Sequence, residues 1–231
     1  MTPTDASEPF VYQHSVRPEM HAFLPRDTRR ILDVGCHTGM FGKMAKQNGV
    51  AEVWGVEPCV ETAAMATQHL DRVFNGYFDS TLAIPDGYFD VVMFNDVLEH
   101  IPDPWQALAL AAKKLAPGGR VIASIPNLRH IDNLLHLLVE RDFRYEPEGI
   151  RDRTHLRFFT KKSIGRLFAE AGYDVQEITG TNEYWWTRSL WRRAAFRLFG
   201  RQLEDMKFIQ FAVVARPLSL PLPLRSPDGT G

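Results

Sequence analysis

The sequence lacks any long apolar run and any excess of charge of one sign. No stretch of about 18 consecutive apolar residues is present, which argues against a membrane span. The first residues, Met1 to Glu8, are polar and acidic and show none of the regions of a secretory signal. The 27 Lys and Arg residues nearly balance the 28 Asp and Glu residues, so there is no overall basic footprint for nucleic acid. We therefore expect a cytoplasmic protein that does not bind nucleic acid.

Cysteine is also scarce. The chain has two cysteines, Cys36 and Cys59, with no CxxC pair and no cluster of zinc ligands around either. A disulfide-rich scaffold and a structural zinc site are therefore not expected, since zinc needs three or four grouped ligands. Both cysteines are predicted to be free thiols.

What the sequence does contain is an alternation of short β-branched runs with longer helical patterns. Its 231 residues, 45% of them hydrophobic, suit one large domain. The alternation predicts βαβ units and an α/β fold with a doubly wound, mostly parallel, seven-stranded sheet. The predicted strands are Arg30–Val34, Glu52–Glu57, Arg72–Tyr77, Phe89–Phe94, Arg120–Ile125, Asp174–Thr179 and Phe208–Ala215. The predicted helices between them are Met40–Asn48, Glu61–Leu70, Trp105–Leu115 and Thr160–Ala171.

The domain organisation follows from the parts that break this alternation. Residues 1–27 are predicted to be a lead-in with a helix over Phe10–Leu24, and residues 28–216 to form the α/β domain. Residues 127–159 and 181–206 are long connections after strands, so we expect them to cap the cleft. Residues 217–231 contain four prolines and are predicted to be disordered.

The segment from Ile31 to Gly42 is the most informative part of the sequence. A strand runs into Gly35, the chain turns, and a helix begins near Met40. Glycines allow positive φ and let a ligand lie against the backbone. A dinucleotide site would prefer G-x-G-x-x-G, but His37 stands where the middle glycine would be. An acid beside the loop, Asp33, also suits a cationic sulfonium and ammonium better than a diphosphate.

A second acid, Glu57, ends the second predicted strand, 22 residues after Gly35. A carboxylate at this spacing accepts hydrogen bonds from ribose hydroxyls. The alternative for Glu57 alone is a solvated strand-end glutamate. Taken with Gly35 and Gly39, it predicts a nucleoside site.

Four segments in order resemble the successive motifs of class I S-adenosylmethionine-dependent methyltransferases: Ile31–Gly42, Val53–Pro58, Phe89–Pro104 and Leu115–Asn127. The fourth-strand segment is similar to the branch that includes ubiquinone-pathway O-methyltransferases. The segment Arg151–Thr160 resembles members associated with cell-surface polysaccharide synthesis. The resemblance implies a Rossmann-like methyltransferase fold with cap insertions, S-adenosylmethionine as cofactor, and a small-molecule or glycan acceptor.

The resemblance also implies roles for particular residues. The loop residues would flank the methionine part of the cofactor, Glu57 would hold the ribose, Asp79 would face the adenine amino group, and the residues after the fourth strand would lie beside the methyl donor. The predicted cofactor-binding residues are Asp33, Gly35, Cys36, Gly39, Glu57, Asp79, Asn95 and Asp96.

A hydroxyl acceptor gains from a base that removes its proton, and histidine is best matched to neutral pH. His100, His130 and His155 follow strands of the predicted sheet or lie in the cap. We favour His155 as the base over His100, with Arg157 orienting an anionic or polyhydroxyl acceptor. In each case the alternative is an ordinary surface or capping residue.

A divalent metal is the alternative to a base. Asp96, Glu99 and His100 would share one face if this turn were helical, and ubiquinone-pathway relatives are similar there, with a glutamate in place of Asp96. We favour local hydrogen bonds for these side chains and predict no metal.

The segment Arg188–Arg201 contains five arginines and no acid. It is interpreted as an amphipathic cap helix with a solvated basic face, or as a contact for phosphate groups or an anionic membrane surface. Trp185 and Trp186 would line an acceptor pocket or pack in the core. Two functional alternatives stay open, a nicotinamide-dependent oxidoreductase and a non-catalytic nucleoside-binding module of the same fold.

Overall fold

The computed structural model describes residues 16–183 and 203–218, and these residues form one seven-stranded sheet with helices on both faces. The strands are β1 (Arg30–Val34), β2 (Glu52–Glu57), β3 (Arg72–Asn75), β4 (Phe89–Asn95), β5 (Leu115–Pro126), β6 (Tyr173–Glu183) and β7 (Phe208–Pro217). The α-helices are α1 (Pro18–His21), α2 (Met40–Gln47), α3 (Val60–Ala66), α4 (Pro104–Lys114), α5 (Ile131–Leu135) and α6 (Lys161–Glu170). A π-helical turn, His136–Glu140, follows α5, and a 3₁₀ turn, Glu204–Lys207, precedes β7.

The strand order is β3-β2-β1-β4-β5-β7-β6. The first five strands are parallel, and β7 runs antiparallel between β5 and β6. The order reverses between β1 and β4, so the loops after these two strands diverge and leave a crevice at their carboxyl ends. Open α/β sheets bind ligands at such a crevice.

Each face of the sheet carries its own hydrophobic core, because successive strand residues point to opposite faces. Leu32 and Val34 pack with α4 and α6 through buried side chains such as Leu108 and Phe168. Ile31 on the other face packs with α1, α2 and α3, whose buried members of this core are Met20, Phe41, Ala45 and Ala66. The central strands are buried on both faces, which explains the continuous apolar run in β4.

The predicted fold class is confirmed, and several element bounds are corrected. The strand predicted over Arg120–Ile125 spans Leu115–Pro126, with a register irregularity opposite Phe89 and Val91. The last two strands are also longer than predicted, because they pair with each other as an antiparallel ribbon at the sheet edge. The predicted cap of α6 is confirmed: Thr160 and Ser163 form a reciprocal capping box.

The segments around the sheet depart further from the predictions. Of the helix predicted over Phe10–Leu24, the described part is helical only at Pro18–His21, and residues 10–15 lie outside the described residues. Pro217, predicted to begin the tail, pairs with Tyr173 as the last residue of β7. Residues 127–159, which the sequence analysis expects to cap the cleft, contain α5, the π-helical turn and an irregular loop. Among the described residues, no helix is long and apolar enough to cross a membrane.

Candidate active site

The loop after β1 turns sharply on two left-handed glycines. Gly35 has φ +72° and Gly39 has φ +78°, and the amides of Gly35 and Cys36 both donate to the carbonyl of Val56. A Cβ on Gly35 would lie 2.5 Å from Cγ2 of Val97, so glycine is required there by space as well as by conformation. The loop therefore brings bare backbone to the mouth of the crevice.

His37, the departure from the usual glycine, also adopts a left-handed conformation, with φ +48°. This costs a non-glycine residue roughly 1–2 kcal/mol. The backbone amide of His37 donates to Oε2 of Glu57 at 2.9 Å. The loop conformation expected for glycine is therefore kept, and the hydrogen bond to Glu57 offsets part of the strain.

Glu57 is the last residue of β2 and Asp33 the last but one of the neighbouring β1, and both are buried. The two carboxylate oxygens of Glu57 accept from the amides of His37 and Cys59, and each oxygen retains a lone pair. Burial, together with the charge of Glu57, raises the pKa of Asp33 to about 8. Oδ2 of Asp33 is buried and has no hydrogen-bond partner in the described structure.

The end of β4 contributes a second set of buried polar atoms. Neither Oδ1 nor Nδ2 of Asn95 has a partner within residues 16–183 and 203–218. Asp96, the next residue, has φ +55°, and its carboxylate accepts from Arg17, from Ser124 Oγ at 2.9 Å and from Gln210 Nε2 at 2.9 Å. Asp96 is thus fully engaged by donors.

Arg17 was not predicted from the sequence. It precedes α1 and also donates to Ser124, Gln210 and Glu19. Its guanidinium lines a pocket in the crevice together with the predicted loop residues and the end of β4. The described residues around this pocket are Arg17, Asp33, Gly35, Cys36, His37, Thr38, Met40, Phe41, Asn95 and Asp96.

The structure therefore brings most of the predicted cofactor residues to one crevice. Asp33, Gly35, Cys36, Asn95 and Asp96 line the pocket directly. Gly39 starts α2 as its N-cap, and Glu57 bonds the loop itself.

Asp79 differs from this group. It is exposed, and its Oδ1 accepts from the amide and hydroxyl of Thr81. It is outside the pocket lining.

The alternative arrangement of Asp96, Glu99 and His100 on one helical face, which the sequence analysis did not favour, does not form. Residues 96–100 form a turn rather than an α-helix, and the left-handed Asp96 directs its carboxylate to Arg17. His155 takes its place: ligand atoms of Glu99, His100 and His155 all lie within 4.8 Å of one another. We call these three residues the histidine cluster.

Both histidines of the cluster are oriented by backbone carbonyls. Nδ1 of His155 donates to the carbonyl of Ile150 at 3.2 Å, and Nδ1 of His100 donates to that of Thr154 at 3.2 Å. In the neutral rings, Nε2 is then the acceptor atom. Nε2 of His155 lies 3.9 Å from Oε1 of Glu99.

Burial sets the protonation states in the cluster. Burial, and after it the neighbouring His100, lowers the pKa of His155 below its usual range. Burial and the charge of Asp96 raise the pKa of Glu99 well above its usual range. At neutral pH, His155 is therefore a neutral imidazole, and it lies beside a carboxyl group whose pKa is raised by burial and by Asp96.

The structure differs from the prediction at two arginines, Arg157 and Arg151. The backbone amide of Arg157, the predicted acceptor-orienting residue, donates to the carbonyl of Glu99. Its guanidinium instead donates to the carbonyl of Pro102 and lies 5.7 Å from the ring centre of Trp105, so the side chain is directed away from the cluster. Arg151, which the sequence analysis did not single out, is buried and lines a cavity with His130. Trp185, Trp186 and Arg188–Arg201 lie outside the described residues.

The residues present fit S-adenosylmethionine. The glycine loop offers a surface without side chains, and Asp33 and Asn95 leave buried polar atoms unpaired. Such groups are rarely left unsatisfied in native proteins, and a zwitterionic ligand with a cationic centre would pair them. A dinucleotide fits these residues poorly. The buried carboxyl of Asp33 lies beside the loop, and the loop lacks the middle glycine that lets the backbone approach a pyrophosphate.

Comparison with known proteins agrees with this fit. A family model for a methyltransferase domain matches residues 12–178. Similar proteins include a ubiquinone biosynthesis O-methyltransferase of Nitrosospira multiformis, 29% identical over 188 residues that cover 76% of this chain and 77% of that protein. The protein of the same description from Thiobacillus denitrificans is 31% identical over 164 residues, which cover 68% and 69% of the two chains.

Solved structures share the fold. The crystal structure of an S-adenosylmethionine-dependent methyltransferase from Archaeoglobus fulgidus superposes with a TM-score of 0.61 at 21% identity, covering 82% of this chain and 86% of that one. One from Mesorhizobium loti gives a TM-score of 0.59 at 19% identity, with coverages of 86% and 96%. With a matching family model over most of its length and this sheet order, the chain belongs to the class I S-adenosylmethionine-dependent methyltransferase family.

Proposed function

We propose that this enzyme transfers the methyl group of S-adenosylmethionine to a hydroxyl oxygen of a small-molecule or glycan acceptor. The observation that carries the proposal is the neutral, backbone-oriented imidazole of His155 in the histidine cluster, near the crevice with the unpaired Asp33 and Asn95. Oxygen methylation is supported by the names of the relatives, which are O-methyltransferases.

The cofactor is held by residues from three strand ends. Glu57 offers its two remaining lone pairs to the ribose hydroxyls, and the loop of Gly35, Cys36 and Gly39 supports the methionine part. Asp33 pairs with the cationic end of the ligand, while Arg17 supplies a cation for its carboxylate. Asn95 contributes a donor and an acceptor beside the methyl donor, next to Asp96. Oδ2 of Asp79 would accept a hydrogen bond from the adenine amino group.

The bound cofactor supplies an electrophilic methyl carbon on a cationic sulfonium. When bound, the cofactor would give up this methyl carbon to the acceptor oxygen, with sulfur keeping the bonding electron pair, and the acceptor hydroxyl would lose its proton. Nε2 of His155 accepts the hydroxyl proton and later releases it to solvent. The products are the methyl ether and S-adenosylhomocysteine. Alignment of the reacting atoms in a closed site accounts for much of the rate.

The surroundings of His155 suit this role. A lowered pKa keeps the imidazole neutral and able to accept a proton at pH 7. The carbonyl of Ile150 holds the ring so that Nδ1 is the donor. Oε1 of Glu99 lies 3.9 Å from Nε2, where an acceptor oxygen favours the imidazolium that forms when Nε2 gains the proton.

The test is calorimetry followed by an acceptor screen. We expect S-adenosylhomocysteine to bind and NADH not to bind, and binding of NADH alone would overturn the assignment in favour of an oxidoreductase. With methyl-labelled S-adenosylmethionine, we expect label on an acceptor oxygen. Tight cofactor binding with no transfer to any phenol, sugar or alcohol tested would instead support the non-catalytic module.

A further inference from the structure

A second cavity, of about 290 Å³, opens beyond the carboxyl end of β5. Its polar side chains come from the start of α5 and from the irregular loop that follows the π-helical turn: His130, Asp132, Asn133, Glu146 and Arg151. Ile150 and Ile209 supply apolar surface. The volume is near the lower end of ligand pockets, roughly 300–1,000 Å³, and suits one small ring with its substituents.

The cavity is built around two polar side chains that are almost completely buried. Arg151 is 5% exposed and Asn133 is 1% exposed. Nη2 of Arg151 donates to Oε1 of Glu146 at 2.6 Å, while its Nη1 lies 3.8 Å from Oδ2 of Asp132. Nε of Arg151 and Oδ1 of Asn133 have no hydrogen-bond partner among the described residues. A buried arginine is costly, and two unpaired atoms beside it add to that cost.

Two hydrogen bonds link the lining of this cavity to the methyl-transfer site. Ile150 lines the cavity, and its carbonyl accepts from Nδ1 of His155. Ile209 lines it from β7, and its neighbour Gln210 donates to Asp96 in the crevice. Through these two bonds the cavity lining is linked to the proposed base, His155, and to Asp96 in the cofactor crevice.

The charge and hydrogen-bonding capacity of the lining decide between classes of acceptor. The single cation of Arg151 is outnumbered by the carboxylates of Asp132 and Glu146, so a phosphate or carboxylate ligand would be repelled. A plain apolar ring would leave the planar Arg, Asn, Asp and Glu groups unpaired. A neutral ring with several neighbouring hydroxyls fits the charge of the lining and also its hydrogen-bonding groups. Each hydroxyl can donate to a carboxylate or amide oxygen and accept from a guanidinium or amide N–H.

We propose that this cavity is the acceptor subsite and that it recognises a neutral polyhydroxylated ring, a sugar unit, by hydrogen bonds from Asp132, Asn133, Glu146 and Arg151. The proposal rests on the proposed methyl transfer and narrows its acceptor class. The hydroxyl to be methylated would point from the cavity toward His155.

Two measurements test it on the full chain saturated with S-adenosylhomocysteine or S-adenosylmethionine. The first is saturation-transfer-difference NMR with methyl glycosides of common hexoses and 6-deoxyhexoses. Catechol, an aromatic ring with only two hydroxyls, is the comparison ligand. The second is methyl transfer to the same compounds. We expect glycoside signals in the first and glycoside KM values that change with the cavity lining in the second.

The variants are chosen to spare the fold. Asp132→Asn and Glu146→Gln alter half-exposed side chains, and each should weaken glycoside binding about five- to tenfold, since one hydrogen bond to a charged group is lost. Arg151→Lys keeps the charge but removes the planar fork. Asp142→Asn, on the same cap but outside the cavity lining, is the matched control and should leave binding unchanged.

The outcomes separate the two proposals. The sugar subsite would be overturned if no glycoside signal appeared and catechol were methylated with a KM that Asp132→Asn and Glu146→Gln do not change. In that case the proposed methyl transfer would still be supported. Glycoside signals that weaken in these variants but not in Asp142→Asn support the subsite even if no transfer occurs. A complete absence of transfer would count against the proposed function alone.

Discussion

Nε2 of His155 lies 3.9 Å from Oε1 of Glu99, and both side chains are more than nine-tenths buried. The two residues come from different parts of the chain, Glu99 from the turn after β4 and His155 from the cap. Their approach places an imidazole whose pKa is lowered by burial beside a carboxyl group whose pKa is raised by burial. The first predictions follow from this pair.

His155→Ala should lower kcat by about 10²–10⁴-fold, because general-base assistance is lost. The affinity for S-adenosylhomocysteine, measured by calorimetry, should stay the same. His136→Ala, in the half-exposed π-helical turn of the same cap, is the control and should retain full activity. Equal rates in the two variants would remove His155 from the mechanism.

The pH dependence of kcat/KM should show one acidic limb. The protonated imidazolium of His155 accepts no proton, so activity falls as pH drops through its pKa. Because burial lowers that pKa below its usual value of about 6.5, the rate should be level at pH 7 and above. A limb centred above pH 7 would contradict this prediction. The fold should be checked by circular dichroism across the same range.

Chelation should leave activity intact. We expect full methyl transfer after dialysis against EDTA, because proton transfer to His155 needs no ion. The close approach of Glu99, His100 and His155 makes the opposite result informative. Activity lost to EDTA and restored by Mg²⁺ or Zn²⁺ would mean that a metal activates the acceptor hydroxyl instead.

Glu57→Gln should weaken binding of S-adenosylhomocysteine about ten- to hundredfold, since a charged acceptor for two ribose hydroxyls is worth about 1.5–3 kcal/mol. The glutamine retains one oxygen acceptor for the amides of His37 and Cys59, which limits damage to the loop. Glu61→Gln, at the exposed start of α3, should bind like the native protein. Unchanged affinity in the Glu57 variant would exclude Glu57 from ribose binding.

Asp33→Asn should stabilise the ligand-free protein while weakening cofactor binding. Asp33 keeps its proton up to about pH 8 in the folded state, whereas the unfolded chain releases it near pH 4. The folded state therefore binds more protons between these values, and its stability falls as pH rises through them. Removing the acid should raise the melting temperature by several degrees at pH 8 and little at pH 4.

The same variant tests the role of Asp33 toward the sulfonium. S-adenosylmethionine carries a positive sulfur that S-adenosylhomocysteine lacks. We therefore expect Asp33→Asn to weaken binding of the methyl donor more than binding of the product. Equal losses for the two ligands would show that Asp33 does not sense the sulfonium charge.

The strand ends and the nucleoside site could be predicted because they depend on local patterns. Gly35, Gly39 and Glu57 follow or end strands that are recognisable by their apolar runs, and parallel strands bring their carboxyl ends to one sheet edge. The spacing between these residues therefore encoded their proximity. His37 has a positive φ like the glycines on either side of it, because the conformation of the loop backbone requires it.

Asp96 and Arg17 illustrate what local patterns did not encode. A spacing of three and four residues would put Asp96 on one face with Glu99 and His100 only in a helix, and the left-handed backbone of Asp96 instead turns its carboxylate toward Arg17, Ser124 and Gln210. No periodicity in the lead-in marks Arg17 as a crevice residue. Its role depends on contacts across 79 to 193 positions of the chain.

The sequence by itself determined the α/β class, the glycine bend after β1, the carboxylate that ends β2 and hence the kind of nucleoside that fits there. All of these follow from the period of apolar residues and from conformations that glycine adopts most readily. Only the tertiary structure decided that His155 faces Glu99, that Arg157 lies aside and that Arg151 is buried in a cavity. Those relationships arise when a long loop folds back on the sheet, where burial and competing hydrogen bonds outweigh sequence spacing.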